Sequence, residues 1–483
     1  MRRILSLGLI AALSAITALH AQVIFSDDFE AYTGQLPNSD PNNTNPFDLY
    51  NNPCNSADPI YSLLDVWHGI PNWPNLQLVN TANPYPHPDP FFTPLSCLAQ
   101  DPFDPQPNPI PPARSGVQML WARANTARSQ YVNLSQRVGD GGYFEFWFYD
   151  DDTYGRPSRM IVEFRAYALP GQGPLPGTTL QSIPSIGPYD ADSGVPFSEG
   201  TRGLSNKYYN IRADAIGGAS TFTPDMNPRG WADFRQVARA KGWRHAASWL
   251  TGDGSAENPR RFTYVIDGIA RSTPNPNRTM TTPFLRRFAD TRPNSVQNFY
   301  VDDVEVGIGV PKAFSQALFV GRILPECWRT DSSGYADVEG WIVDIEIYDA
   351  NDNLLATRER RLPKKDPFYN FVDGEDDYTG LIGVPNLLPA GYSHEGTYKF
   401  RFSLRGRPFV PATVTLNTPS RGQTIILACG DINQDGCVDD ADLLAVLFAF
   451  GNTGENLPED ANGDGTVDDA DLLTVLFNFG AGC

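Results

Sequence analysis

Two short acidic segments near the carboxyl end of the chain contain side chains that are suited to holding a cation. Residues 431–451 and 460–480 align at a fixed offset of 29 positions, and 16 of the 21 aligned positions are identical. Each copy reads D-x-N-x-D-G-x-V-D-D-A-D, so oxygen donors stand at positions 1, 3, 5, 9 and 12, with a glycine at position 6. Clustered carboxylate and amide oxygens are the ligands of hard divalent cations, which indicates a duplicated metal-binding loop.

The spacing of the oxygen donors identifies the metal that we expect. An EF-hand loop wraps calcium with this spacing, and the glycine at position 6 permits the sharp turn that directs alternate side chains inward. The sequence therefore predicts two calcium ions in this region. The predicted ligands are the side chains of Asp431, Asn433, Asp435, Asp439 and Asp442 with the carbonyl of Cys437 in the first loop, and the side chains of Asp460, Asn462, Asp464, Asp468 and Asp471 with the carbonyl of Thr466 in the second.

An apolar pattern follows each loop and predicts a helix. Leu443, Leu444, Leu447 and Phe448 recur 29 positions later, and this spacing gives a helix one apolar face. Val438 and Val467, at position 8 of the loops, are placed to pair the two loops. The alternative interpretation is an acidic solvated tail, which explains neither the two complete ligand sets nor the apolar helices.

With its two loop–helix units, the segment from about residue 429 to 483 resembles a type I dockerin. That family binds two calcium ions and docks into cohesin domains of scaffolding or surface proteins, and aspartate at position 12 (Asp442, Asp471) agrees with it. Many dockerins carry at positions 10 and 11 a Ser-Thr pair that contacts cohesin, whereas this chain has Asp440-Ala441 and Asp469-Ala470. The resemblance implies a cohesin-like or other scaffold or surface protein as partner, and the two departures place ordinary cohesin recognition in doubt.

The charge of the chain excludes one class of partner. A count of 37 Lys and Arg against 56 Asp and Glu gives a formal net charge of -19, which repels the phosphate backbone that nucleic-acid-binding proteins neutralise with basic residues. Residues 429–483 hold twelve of the acids and no Lys or Arg. Such an acidic block indicates cations or a basic partner.

The elements before the repeat are predicted to be mainly β-strands. Residues 22–309 show short alternating runs broken by Gly, Pro, Asn and Asp, which is typical of an antiparallel β-sandwich. Asp267-Gly268 is a hairpin-turn dipeptide. The clearest predicted strands are the aromatic run 143–149 and the runs 160–167, 261–266 and 299–306.

This first sandwich resembles the concanavalin A-like lectin/glucanase jelly rolls through residues 25–30 (FSDDFE) and 300–304 (YVDDV). The resemblance implies that the first and last strands lie side by side, that the domain binds carbohydrate, and that one more calcium ion is structural. By this resemblance Asp28, Glu30 and Asp302 are candidate ligands, and the alternative is that they are solvated acids at strand ends.

Two further units complete the predicted architecture. A proline-rich insertion (about 36–112) has eleven prolines between residues 84 and 112, so it cannot join a central strand and is expected to be extended. Residues 311–428 alternate as a small immunoglobulin-like or prealbumin-like β-sandwich. The predicted fold class is mainly β, with a jelly-roll β-sandwich, this smaller sandwich and a small α-helical calcium-loop (dockerin) module.

The amino terminus and the six cysteines indicate an exported protein. Arg2 and Arg3 precede an apolar stretch, and residues 1–21 read as a signal peptide. No later segment is apolar enough to span a bilayer, so we expect a secreted or cell-surface-attached protein. Disulfides are the leading interpretation of the cysteines, and proximity favours the pairs Cys54–Cys97, Cys327–Cys429 and Cys437–Cys483.

The sequence assigns no catalytic residue. The paired-carboxylate motif of jelly-roll glycosidases is absent, Glu145 stands alone among aromatics, and Asp344 with Glu346 lies in the second sandwich before a turn. The favoured hypothesis is a non-catalytic protein that binds a glycan or surface and docks through its calcium module. The alternatives are a dockerin-bearing glycoside hydrolase and a structural envelope protein.

Overall fold

The structure, a computed structural model, describes eighteen stretches of the chain, and most of the region before residue 231 lies outside them. The predicted signal peptide, nearly all of the proline-rich insertion, Glu30 and the pair Cys54–Cys97 fall outside the described residues. The described residues are 22–29, 68–69, 77–80, 111–116, 118–122, 128–131, 138, 140–150, 160–167, 180–187, 208–215, 231–259, 261–274, 282–287, 299–328, 338–363, 379–454 and 457–483.

The first unit is an antiparallel β-sandwich of an eight-stranded and a seven-stranded sheet. In the eight-stranded sheet the order is β13-β12-β11-β6-β15-β4-β3, with β1 also paired to β15, and in the other it is β10-β9-β8-β7-β14-β5-β2. The strands are β1 (Gln22–Asp27), β2 (His68–Gly69), β3 (Gln77–Asn80), β4 (Gln118–Ala122), β5 (Arg128–Tyr131), β6 (Gly142–Asp150), β7 (Met160–Tyr167), β8 (Leu180–Gly187), β9 (Tyr208–Ala215), β10 (Trp231–Ala238), β11 (Gly242–Thr251), β12 (Arg261–Ile266), β13 (Ile269–Pro274), β14 (Thr282–Arg287) and β15 (Phe299–Ile308).

Side-chain alternation along the strands builds the core between these two sheets. Phe144, Phe146 and Phe148 of β6 point into it and pack in one cluster with Ile186 of β8 and Ile211 of β9. Residues at alternate positions of a strand share a face, so the intervening β6 residues lie on the outer face of the eight-stranded sheet. The predicted antiparallel sandwich is confirmed by this shared core.

The first and last strands of the sandwich lie side by side. β1 pairs antiparallel with β15, and Asp27 stands opposite Val304. The hairpin predicted at Asp267-Gly268 joins β12 to β13, with φ of +52° and +88° at the two turn residues. Positive φ at both central positions is the requirement of a type I′ turn, which matches the twist of the flanking strands.

A second sandwich follows the first. Its three-stranded sheet has the order β19-β16-β22, its four-stranded sheet has the order β18-β17-β20-β21, and residues of both sheets share one buried core that includes Phe319, Ile345 and Phe400. A short helix, α1 (Lys312–Ser315), connects the two sandwiches. The strands are β16 (Phe319–Pro325), β17 (Ile342–Tyr348), β18 (Leu354–Arg361), β19 (Leu381–Val384), β20 (Gly396–Leu404), β21 (Ala412–Thr418) and β22 (Ser420–Leu427).

Two loop–helix units end the chain. Helices α2 (Asp440–Ala449) and α3 (Asp469–Phe477) each begin after one of the acidic loops, as predicted. The disulfides Cys327–Cys429 and Cys437–Cys483 are both present and confirm two predicted pairs, and such bonds fit an oxidising compartment. Within the described residues, no helix has the length and apolarity that a membrane crossing requires.

Candidate functional site

The carboxylates at position 12 close both acidic loops. Asp442 and Asp471 are fully buried, and Oδ2 of each accepts a hydrogen bond from the main-chain N–H of position 9 at 2.9 Å. Oδ1 accepts from the N–H of position 3, at 2.9 Å in the first loop and 3.1 Å in the second. Asp439 and Asp468, at position 9, complete a capping box at the start of each helix, so loop and helix are joined by the same side chains.

The carboxylates at position 1 differ between the loops. Both oxygens of Asp460 accept main-chain hydrogen bonds, Oδ1 from positions 4 and 5 and Oδ2 from position 6. In Asp431, Oδ2 accepts from Gly436 at 3.0 Å, whereas Oδ1 is buried with no hydrogen-bond partner. Burial, with Asp442 and Asp435 nearby, raises the pKa of Asp431 to about 6. A buried acceptor without a donor is costly, and a cation would compensate for it.

Position 5 is held by its neighbours in the same way in both loops. The amide oxygen of position 3 accepts the main-chain N–H of position 5, at 2.9 Å for Asn433 and 2.8 Å for Asn462. Asp435 and Asp464, at position 5, in turn accept the main-chain N–H of position 7, the residue whose carbonyl is a predicted ligand, at 2.9 Å. The two loops therefore share one internal hydrogen-bond pattern from positions 3 to 12.

These loops fit calcium by donor type. The loop side chains supply carboxylate and amide oxygens, and one of these, Oδ1 of Asp431, is buried without a partner. Within the described part of the chain, no three Asp, Glu, His or Cys side chains are already gathered closely enough to hold a metal. Like charges at short distance repel, and here the carboxylates turn to main-chain N–H groups. Binding requires these side chains to turn inward, and their role as ligands stays a prediction.

The position-8 valines pair differently from the prediction. Val438 accepts from Gly480 and donates to the carbonyl of Ala481, whereas Val467 accepts from Gly451 and donates to the carbonyl of Asn452. Each valine thus pairs with the segment that follows the other copy's helix. Main-chain hydrogen bonds therefore join each loop to the residues just after the helix of the other copy. The two valines do not pair with each other.

The two helices bury one side and expose the other. Val446 and Val475 are buried in the small core of this region, with Leu443 and Leu472 packed against it. Phe448 is 87% exposed and Phe477 is 83% exposed. The exposed set is duplicated at the offset of the repeat and consists of Leu444, Leu447, Phe448 and Phe450 in one copy and Leu473, Leu476, Phe477 and Phe479 in the other. We call these eight residues the paired apolar surface.

The loop–helix region is fastened to the second sandwich. Only residues 428–430 separate β22 from the first loop, and the Cys327–Cys429 disulfide crosses this connection. Val410 of the second sandwich lies in the core of the loop–helix region. A Cβ added to Gly463 in the second loop would lie 2.5 Å from the Trp328 ring. The loop–helix region is therefore packed against the second sandwich, and the connection between them is short.

The acids at the edge of the first sandwich form a small cluster of their own. Asp302 is fully buried and accepts main-chain hydrogen bonds from Arg114, Ser115 and Asp303 at 2.8–3.2 Å. Burial and the charge of Asp303 raise the pKa of Asp302 to about 8. Burial raises the pKa of Asp303, and the negative charge of Asp28, which directly follows β1, adds to the rise. The structure thus brings Asp28 and Asp302 to one place, and their binding of calcium stays a prediction.

Sequence reasoning missed Asp303 and Ser115 in this cluster. Oγ of Ser115 donates to Oδ1 of Asp303 at 2.7 Å, and Asp303 has a φ of +46°, an uncommon conformation for a residue other than glycine. The only signal in the sequence was the adjacent acid pair 302–303, because Ser115 comes from a segment almost two hundred positions away. These contacts attach residues 111–116 to the sheet.

The isolated acid of the aromatic strand is buried under other parts of the chain. Glu145 accepts from the main-chain N–H of Ala313 in α1 at 3.0 Å, and burial raises its pKa to about 8. His245 Nε2 lies 3.7 Å from Glu145 Oε2, yet burial lowers the pKa of His245 to about 3. Both groups are therefore neutral at pH 7 and form no ion pair. Arg114 lies over the Trp147 ring at 4.2 Å, so residues 111–116 and α1 cover this face.

No family model matches this chain, and no curated protein matches it. Among solved structures, the chain is similar to an endo-β-1,4-glucuronan lyase from the fungus Trichoderma reesei, with 14% identity over 40% of this chain and 82% of that one and a TM-score of 0.24. The alginate lyase Aly36B has 9% identity over 39% and 80%, with a TM-score of 0.25. A seed lectin of Lotus tetragonolobus has 12% identity over 40% and 89%, with a TM-score of 0.24. Similarities this low transfer neither a ligand nor an activity to this chain.

Proposed function

We propose that this chain is an exported, non-catalytic protein that binds carbohydrate through its first sandwich and attaches to a partner through a calcium-dependent docking module at residues 429–483. The paired apolar surface carries this proposal. Six large apolar side chains are exposed on two short helices, and two more, Phe450 and Phe479, just after them; each helix follows a loop of calcium-ligand spacing. Soluble proteins rarely leave a contiguous apolar patch uncovered unless it binds something.

Calcium would hold the docking module in its binding-competent form. The ligands would be the side chains at positions 1, 3, 5, 9 and 12 with the carbonyl at position 7 of each loop. A bound divalent cation neutralises carboxylates that otherwise repel one another and fixes the loop from which each helix starts. The capping boxes at Asp439 and Asp468 transmit that order to α2 and α3.

The partner would present an apolar surface with a basic border. No Lys or Arg occurs in residues 429–483, and Asp440 and Asp469 are exposed where the two helices begin. Complementary charge steers such an encounter, while buried aromatic side chains supply most of the affinity. This is the arrangement of a dockerin-like module on a cohesin-like or other scaffold protein. The Asp-Ala pairs would distinguish its partner from those of dockerins with Ser-Thr.

Carbohydrate would bind to the outer face of the seven-stranded sheet. The outer face of the eight-stranded sheet is covered at Glu145 and Trp147 by the chain's own segments. The seven-stranded sheet is the other broad surface of this sandwich. The second sandwich, an immunoglobulin-like or prealbumin-like unit, would space the two functions.

Two experiments test the two halves of the proposal. Immobilised mature protein should capture a partner from the native secretome in calcium and release it in chelator, and a Phe448→Ser, Phe477→Ser variant should capture none. Affinity gels that contain acidic or neutral polysaccharides should retard the wild-type protein relative to gels without polysaccharide. Release of reducing sugar or unsaturated product from the same polysaccharides would contradict the non-catalytic assignment. Equal capture with and without calcium would contradict the docking module.

A further inference from the structure

Two buried arginines and one partly buried arginine lie near one carboxylate where the two sandwiches join. Nη1 of Arg244, in β11, lies 2.9 Å from Oδ2 of Asp267, and Nη2 of Arg360, in β18 of the second sandwich, lies 3.1 Å from the same oxygen. Arg358, two positions before Arg360, donates from Nη2 to the carbonyl of Trp243 at 3.0 Å. The cluster therefore draws two arginines from one sandwich and its carboxylate from the other.

Positive charge exceeds negative charge in this cluster. Asp267 is the carboxylate that contacts Arg244 and Arg360, and its pKa stays low despite burial because those two arginines favour the charged form. Arg358 adds a third guanidinium whose pKa is lowered to about 10 by burial and by Arg244, which leaves it charged at pH 7. The nearby Asp150 is already engaged, because Arg239 donates to both of its oxygens and Tyr209 donates to one of them.

Several guanidinium N–H groups of the cluster have no acceptor. Nε of Arg244, Nε of Arg358 and Nη2 of Arg360 are buried without a hydrogen-bond partner. The ion-pair distance from Arg360 to Asp267 is short, but its geometry is not that of a hydrogen bond. Arg244 is fully buried and Arg360 nearly so. Buried donors without partners are rare, and a bound water or ion is a recognised reason for them.

We propose that this cluster binds a small monovalent anion of the halide type, with chloride as the ligand. Guanidinium groups are the donors by which proteins recognise anions, and one negative ion would satisfy free N–H groups and offset the excess charge together. A water molecule would supply an acceptor but no charge, and it would require acceptors for its own hydrogens. An isolated buried charge is costly unless a counter-ion compensates it.

The position of the cluster gives the anion a structural consequence. Because Arg358 and Arg360 belong to the second sandwich and Arg244 and Asp267 to the first, a bound anion would link the two units. Removal of the anion would leave like charges facing one another across the junction. We therefore expect the stability of the mature protein to depend on chloride at constant ionic strength.

Thermal unfolding of the mature protein tests this dependence. The melting temperature should be higher in sodium chloride than in sodium gluconate at the same ionic strength and calcium concentration. A chloride concentration ten times the dissociation constant should raise it by about 1–2 °C. Arg358→Gln should abolish the difference. Arg361→Gln should retain it, because Arg361 also crosses the junction, with Nε donating to the carbonyl of Arg239 at 3.0 Å, but is outside the set of unpartnered donors.

Crystals grown in sodium bromide locate the ion directly. Bromide scatters anomalously, so a peak between Arg244, Arg358 and Arg360 would establish the site on the unmodified protein. Equal melting temperatures in chloride and gluconate, together with no anomalous peak at the cluster, would overturn the proposal. Loss of the chloride effect in both arginine variants would contradict its assignment to this cluster.

Discussion

Phe448 and Phe477 occupy equivalent positions in the two loop–helix units, and each exposes more than four fifths of its surface. Leu444 and Leu473, four positions before them, also match each other in exposure, at 47% and 46%. The repeat therefore duplicates a surface as well as two loops. Exposed aromatic side chains that the fold itself does not use are candidates for the centre of an interface.

Substitution of these two phenylalanines is expected to separate docking from calcium binding. Phe448→Ser with Phe477→Ser should weaken partner binding at least about thirtyfold, since truncation of an aromatic hot spot costs roughly 2 kcal/mol or more. Calcium binding and the melting temperature should be unchanged, because neither ring lies in the core of the region. Surface plasmon resonance with the captured partner measures partner binding, and calorimetric titration measures calcium binding. Retained partner binding would place the interface elsewhere.

Position 1 of each loop is expected to control one calcium ion. Asp431→Ala or Asp460→Ala should bind one calcium ion fewer than the wild type, and the double variant two fewer, because the side chain at position 1 is a predicted ligand that also holds the turn of its loop. Isothermal titration with calcium gives the stoichiometry.

A matched control distinguishes ligand loss from a general loss of negative charge. Asp440→Asn with Asp469→Asn removes two exposed carboxylates at position 10, which is outside the predicted ligand set, and should bind as many ions as the wild type. A wild-type number of bound ions in the Asp431→Ala, Asp460→Ala variant would rule out position 1 as a ligand.

Local periodicity predicted the strands and turns, but long-range packing decided the surfaces. The runs 160–167 and 261–266 match β7 and β12, because alternation along a strand is a local property. The covering of Glu145 by Ala313 was not predictable, since the two residues are 168 positions apart. The leucine pattern after each loop indicated an apolar helix. It did not show that Leu443 would pack inward and Leu444 outward, because that depends on where the rest of the region lies.

The Cys327–Cys429 disulfide is expected to fix the docking module against the second sandwich. Cys327→Ala with Cys429→Ala opens a link of 102 residues and should lower the free energy of unfolding by about 2–5 kcal/mol. Proteases should then cut near residues 428–430, where the chain passes between the two units. Denaturant unfolding and limited proteolysis measure the two effects. Cys437→Ala with Cys483→Ala is the control, because that bond lies within the module and its loss should not expose residues 428–430.

The raised pKa of Glu145 is expected to make the free energy of unfolding decrease as the pH rises. Burial raises its pKa in the folded chain to about 8, whereas the unfolded chain has the ordinary value near 4.5. Between these two values the folded state keeps a proton that the unfolded state releases, so the free energy of unfolding falls as pH increases. The slope from this group is at most about 1.4 kcal/mol per pH unit, and it vanishes above pH 8.

Glu145→Gln isolates this contribution. Glutamine keeps an oxygen for the N–H of Ala313 and does not titrate. The free energy of unfolding of the variant, relative to that of the wild type, should therefore increase steadily from pH 5 to pH 8. The difference between the two proteins removes the effect of other titrating groups, including Asp302. Urea unfolding at four pH values measures it. The charged groups that face Glu145 are Glu305 and Lys312, and a pH-independent difference would mean that Lys312 keeps Glu145 ionised in the folded protein.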